Sequence, residues 1–140
     1  DVCAAHGLLV PEFNDQSRRE IREQISPSIK SIASLTNPID LTGSAVDTDF
    51  VSCVECLSRI PEIDCIIILM LPYLPGITSD LSARLSNIYQ KHRKPLIAYV
   101  PHVEKFRMFI EGFEFNRVPV SQSIEGAVHM AEAMRRCQPC

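Results

Sequence analysis

Two kinds of apolar pattern share this chain. Residues 65–71 and 95–100 are continuous runs of β-branched and aliphatic side chains, which is how a strand covered on both faces reads. Around them, apolar positions recur at helical spacing. After Asp47 they are Phe50, Val54 and Leu57; later come Leu81, Leu85 and Ile88, with His92 completing the stripe. Val103, Phe106, Phe109, Ile110 and Phe113 mark another helix, and Ile124, Ala127, Val128, Ala131 and Met134 the last one. Between these two, Val118-Pro119-Val120 predicts a short strand, placed at an edge because Pro119 cannot donate to a ladder. The opening residues 1–7 read as a helix end stopped by Gly7 in a left-handed turn. Leu8-Leu9-Val10 suggests a short strand closed by Pro11, and Asp15 or Ser17 caps a polar helix running to about Ile25.

Strands that alternate with helices of this length form βαβ units. The predicted architecture is therefore α/β: three layers, a mostly parallel sheet and helices on both faces. In such sheets ligands gather at the carboxyl ends of the strands, here residues 71–78, 99–102 and 121–123.

Composition narrows the classes of function. The 140 residues carry a formal charge of −3 with no long basic stripe, which argues against nucleic acid as a partner. The longest apolar run is seven residues, too short to span a bilayer. No repeat or linker interrupts residues 1–140, which are read as a single domain. The chain starts at Asp1, so it is expected to be a piece of a longer protein. Six cysteines are too dilute for a disulfide scaffold, and a reducing cytoplasm is the expected location.

The segment after the first apolar run offers the most chemistry. Pro75, Gly76, Ile77 and Thr78 lead into a helix, where backbone amides and the positive dipole end suit an anion. Thr78 can equally serve as a plain helix cap, and Asp80 opposes a tightly held phosphate. The loop Asn37-Pro38-Ile39-Asp40-Leu41-Thr42-Gly43 fits turn chemistry as well as a ligand site. Cys53-x-x-Cys56 and Cys137-x-x-Cys140 do not have the setting of zinc knuckles, so no metal is assigned and the thiols read as incidental. His6, His92, His102 and His129 lie scattered, with only His102 at a strand end. No nucleophile elbow, Walker loop or Gly-rich nucleotide fingerprint is present, and no catalytic residue is assigned. A phospho-acceptor receiver domain would need acids at strand ends, and Asp64 precedes its strand instead.

The order of motifs resembles the NDP-forming acyl-CoA synthetases. Ala-Ala-His-Gly, Asn-Pro-Ile-Asp-Leu-Thr-Gly, the run from Pro61 through Ile77, and Lys-Pro-Leu-Ile-Ala-Tyr-Val-Pro follow their last flavodoxin-like (Rossmann-like) CoA-ligase domain. That domain is related to the carboxy-terminal domain of the succinyl-CoA synthetase β subunit. The resemblance spans residues 1–136, and the segment 37–43 is its most specific part. It implies a ligase that converts acyl-CoA, NDP and phosphate to carboxylate, CoA and NTP through a phosphohistidine carried on another domain. In that scheme Pro75, Gly76, Ile77 and Thr78 face the phosphohistidine, and Asn37, Asp40, Thr42 and Gly43 form a structural or interface loop. No cofactor is implied for these residues themselves. CoA, ADP or ATP, and magnesium belong to the whole enzyme, and the partners implied are its CoA-binding and ATP-grasp domains or subunits. The alternative, from another class, is a regulatory or scaffold synthetase-like domain of a protein acetyltransferase.

Two departures matter. The family domain opens with an apolar strand and a Gly-rich turn, which this chain lacks. The sheet is therefore expected to lack its first strand and to leave an edge open beside residues 65–71, favouring a homo-oligomer or poor solubility. His102 and Val103 also stand where the family carries glycines.

Overall fold

The computed structural model describes residues 2–71 and 74–137. Its helices are α1 (Val2–Ala5), α2 (Asp15–Gln24), α3 (Asp47–Arg59), α4 (Leu81–His92), α5 (Arg107–Phe115) and α6 (Ile124–Arg136). Its strands are β1 (Ile66–Leu69), β2 (Leu96–Tyr99) and β3 (Val120–Ser121), and a 3-10 turn (Glu104–Phe106) leads into α5. The three strands are parallel in the order β1-β2-β3, with Ile66 opposite Leu96 and Ala98 opposite Val120. Helices α3, α4 and α5 pack side by side on one face, while α6, with α1 beside it, covers the other. This is the predicted three-layer α/β, flavodoxin-like arrangement.

The core follows the pattern. Ile66, Ile68, Leu81, Leu85, Leu96, Ala98, Phe109 and Phe113 bury together under α3–α5. Phe113 is fully enclosed, and truncating such a side chain to Ala costs about 3–5 kcal/mol. A second cluster joins Ile21, Ile25, Ile29, Leu35 and Leu41 to Cys53 and Cys56 of α3. It is pinned by buried Asp49, whose carboxylate accepts the amides of Ser26 at 2.6 Å and Val46 at 2.9 Å. Those bonds satisfy a donor at the start of α3 and tie down the chain that follows α2.

Four expectations are corrected. Leu8, Leu9 and Val10 form no strand: Leu9 is 92% exposed, and no strand among the described residues pairs with the segment. Helix α2 is capped by neither Asp15 nor Ser17 but by Asn14, whose side chain accepts the Ser17 amide at 2.8 Å. Ser17 sits three residues into the helix as donor, the ordinary geometry of an N-cap bond. Thr78 does not cap α4, for reasons given below. Finally, β2 is buried on both faces but β1 is not. Ile66 and Ile68 face the core, whereas Ile67 is half-buried and Leu69 is 42% exposed. β2 has a neighbour on each side and β1 has one, so α6 covers the outer face of β1 only in part.

At helix ends the expectation holds for Gly7, which adopts φ +67°. Asp1 lies outside the described residues, as do Pro72, Tyr73 and Cys140.

Candidate functional site

The loop 37–43 spends its polar side chains on neighbouring backbone. Ser34 and Asp40 exchange both backbone hydrogen bonds, each 2.9 Å, and close the loop at its base. The Asn37–Pro38 peptide is cis, and Asn37 Nδ2 donates to the Pro11 carbonyl at 3.0 Å. Asp40 Oδ1 accepts the Thr42 amide at 2.8 Å, and Thr42 Oγ1 accepts the Ser44 amide at 3.3 Å. These bonds support Thr42 in the left-handed region, φ 69°. A β-carbon on Gly43 would lie 3.9 Å from Leu74 Cδ2, so the loop reaches the turn beyond β1.

That turn is fastened to the start of α3. The Ile77 amide donates to Leu74 and the Asp47 amide to Gly76, both at 3.3 Å. A β-carbon on Gly76 would stand 2.6 Å from Val46 Cγ1 and 2.9 Å from the Ala45 carbonyl, a separation that only glycine permits. Asp47, buried in the first turn of α3, accepts the Thr78 amide on Oδ1 at 2.9 Å and the Thr78 hydroxyl on Oδ2. Arg84 Nη1 lies 4.0 Å from the same carboxylate. Helix α4 starts at Leu81, two residues beyond the position a Thr78 cap requires. Asp80 occupies the N-cap without a side-chain bond, and Thr78 contributes only its carbonyl, to the Leu81 amide at 3.2 Å. Its hydroxyl donates to Asp47 and accepts no amide of the first turn of α4.

Two depressions flank this clasp. A cleft of about 320 Å³ lies between Pro75, Thr78 and Ser79 on one side and Val100, Lys105 and Phe106 on the other. A groove of about 680 Å³ follows the open edge of β1, with loop 37–43, Phe13 and Phe50 opposite Ile67 and Leu69. The two meet at Leu71 and Leu74. His102, at the end of β2, shares a hydrogen bond of 3.2 Å with Gln122. In the lining of the groove, burial pushes the Cys53 thiol up to about 12, with Cys56 adding to the shift, and burial raises Cys56 as well. Both stay protonated at neutral pH, unlike metal-binding thiolates.

The structure therefore brings Asn37, Asp40, Thr42 and Gly43 to the same end of the sheet as Pro75, Gly76, Ile77 and Thr78. Asp47 is the residue that sequence reading missed there. A lone aspartate opening a helix carries no signal of a bond to a threonine 31 residues away.

The fold and this strand-end site define an open parallel α/β domain of flavodoxin-like type. No protein-family model matches the chain, and no curated protein does. Among solved structures it is similar to the crystal structure of PH0766 from Pyrococcus horikoshii OT3, with a TM-score of 0.81 and 23% identity. The likeness covers 95% of this chain and 31% of that one, so this chain spans under a third of its neighbour's length. No helix among the described residues is long and apolar enough to cross a membrane.

Proposed function

We propose that this chain serves as a non-catalytic CoA-ligase domain of an NDP-forming acyl-CoA synthetase, receiving the phosphohistidine of another domain at the carboxyl end of β1. One observation carries the reading: the two segments that bear the resemblance, 37–43 and 75–78, converge at that strand end through Asp47 and Leu74. An open parallel sheet takes ligands there. On this reading magnesium, nucleotide and CoA bind other domains of the enzyme.

Asp47 shapes what this surface does. A phosphoryl group gains the Thr78 donors only by displacing a carboxylate. Binding of inorganic phosphate to the isolated chain is accordingly expected in the millimolar range, about −4 kcal/mol. Neutralising Asp47 should tighten it. The test is a phosphate titration followed by amide NMR on the wild type and Asp47→Asn. The expected result is shifts at Ile77, Thr78 and Ser79 that saturate at lower phosphate in the variant. Shifts confined to surface Lys and Arg, with these amides silent in both proteins, would remove the phosphoryl role.

A further inference from the structure

A cluster remote from the strand-end site carries chemistry of its own. Helix α1 packs against α6, and His6, in the turn that ends α1, reaches Glu132 of α6. His129 precedes Glu132 by three residues, so both project from one face of α6. His6 Nδ1 lies 2.9 Å from Glu132 Oε2, and His129 Nδ1 lies 3.9 Å from the same oxygen. The imidazole rings meet edge to face, centroids 4.3 Å apart. Residues 126 positions apart thus converge on one carboxylate oxygen.

We propose that His6, His129 and Glu132 form a site for a divalent transition metal of the zinc class, with solvent completing the coordination. The argument is geometric first. Zinc with nitrogen and oxygen ligands at about 2.0–2.1 Å has tetrahedral edges of about 3.3 Å. The separations of 2.9 and 3.9 Å bracket that edge, and the three ligand atoms lie within 4.8 Å of one another. The donor set agrees. Two imidazoles and a carboxylate suit zinc, cobalt(II) or nickel(II), while calcium and magnesium need more oxygens.

The surroundings fit as well. Arg136 binds the other carboxylate oxygen, Oε1, and leaves Oε2 to the histidines. This is how an outer partner orients a ligating carboxylate. A metal ion bound at His6 Nδ1 would replace the proton now shared with Glu132 Oε2. His129 is 60% exposed on its side chain, which gives the ion a path in and water a coordination position. A bound ion would clip the four-residue α1 onto α6, closing a loop of nearly the whole chain.

The test titrates the full chain with Zn²⁺ by calorimetry and with Co²⁺ by visible absorption. One equivalent is expected to bind, with weak cobalt bands of nitrogen–oxygen character and no intense sulfur charge-transfer band. Zinc should also raise the melting temperature. His129→Ala and Glu132→Gln should each weaken binding about tenfold or more. Alanine is the better helix former at an exposed position, so His129→Ala is expected to fold, which circular dichroism verifies. Three outcomes would each overturn the site: no saturable binding below millimolar zinc, a sulfur charge-transfer band, or undiminished affinity in His129→Ala.

Discussion

The clasp between Asp47 and Thr78 can be measured directly. Asp47→Ala removes the acceptor of two donors at once, the Thr78 amide and the Thr78 hydroxyl. Hydrogen bonds to a charged group contribute about 1.5–3 kcal/mol each. Thr78 is exposed, and water reaches its freed donors, so about 1–2 kcal/mol per bond applies here. The expected loss is about 2–4 kcal/mol, a large share of the roughly 5–15 kcal/mol that stabilises an ordinary domain. Arg84 adds little, being partly exposed and 4.0 Å away. Thr78→Val keeps the amide bond and deletes only the hydroxyl bond, for a loss of about 1–2 kcal/mol. Because Asp47→Ala already abolishes that bond, the double variant should cost less than the two single losses combined, with a coupling of about 1 kcal/mol. Urea unfolding of the four proteins at one pH provides the cycle. Additive losses, or an Asp47→Ala protein within about 0.5 kcal/mol of wild type, would show that the clasp holds nothing together.

Three further outcomes follow from particular contacts. A β-carbon on Gly112 of α5 would stand 2.2 Å from Ser82 Oγ of α4; Gly112→Ala should cost about 1–3 kcal/mol despite its better helix propensity, and adding Ser82→Ala should restore most of it in a thermal melt. Burial works to raise the Glu55 carboxyl, but hydrogen bonds from Lys91 at 2.7 Å and His92 at 2.9 Å outweigh it and hold the group below 4.5. The stability this tie supplies is present above the ordinary carboxylate range and lost as pH falls through the lowered value, so the urea-midpoint gap between wild type and Glu55→Gln should narrow in acid; a pH-independent gap would refute it. The open β1 edge, with Leu69 and Leu71 exposed, should make the chain self-associate with concentration in sedimentation, and Leu69→Lys should suppress this; a wild-type monomer at every concentration would refute it.

What was legible in the sequence was the part that local chemistry decides. Residues 65–71 and 95–100 read as strands because short, continuous, β-branched and aliphatic runs bounded by proline suit a parallel sheet. Helices α4 and α6 announced themselves through apolar stripes on a 3.6 period, and Gly7 through its place past a helix end. What failed depended on partners. Leu8–Leu9–Val10 has strand-like side chains but no strand to pair with. Asn14, Asp15 and Ser17 are all good caps, and only the direction of the Ser17 amide selects Asn14. The strand-end site was legible as a place and not as a mechanism of attachment, since Thr78 and Asp47 belong to different elements. The histidines read as scattered because α1 and α6 stand at opposite ends of the chain, and folding alone sets His6 beside His129.

The two apolar runs also show why burial cannot be read from composition alone. Ile97 and Ala98 of β2 are wholly buried, while Leu69 in the equally apolar β1 is 42% exposed. Strand order makes the difference: β2 lies between two strands, and β1 has one neighbour. Alternation in a parallel ladder assigns the Ile66 and Met70 amides to β2, where they donate to Pro95 and Tyr99, and turns those of Ile67 and Leu69 toward the open side. An added strand would therefore dock by backbone pairing along the edge, whereas a phosphoryl group would approach the end of the sheet at Thr78 and Ser79. Among the described residues the groove and the cleft share Leu71 and Leu74. If association and anion binding use these separate surfaces, Leu69→Lys should alter sedimentation and leave the phosphate shifts unchanged. Asp47→Asn should do the reverse. A single variant that abolished both would mean that the edge and the strand end act as one site, with the turn at 74–79 moving when a strand is added.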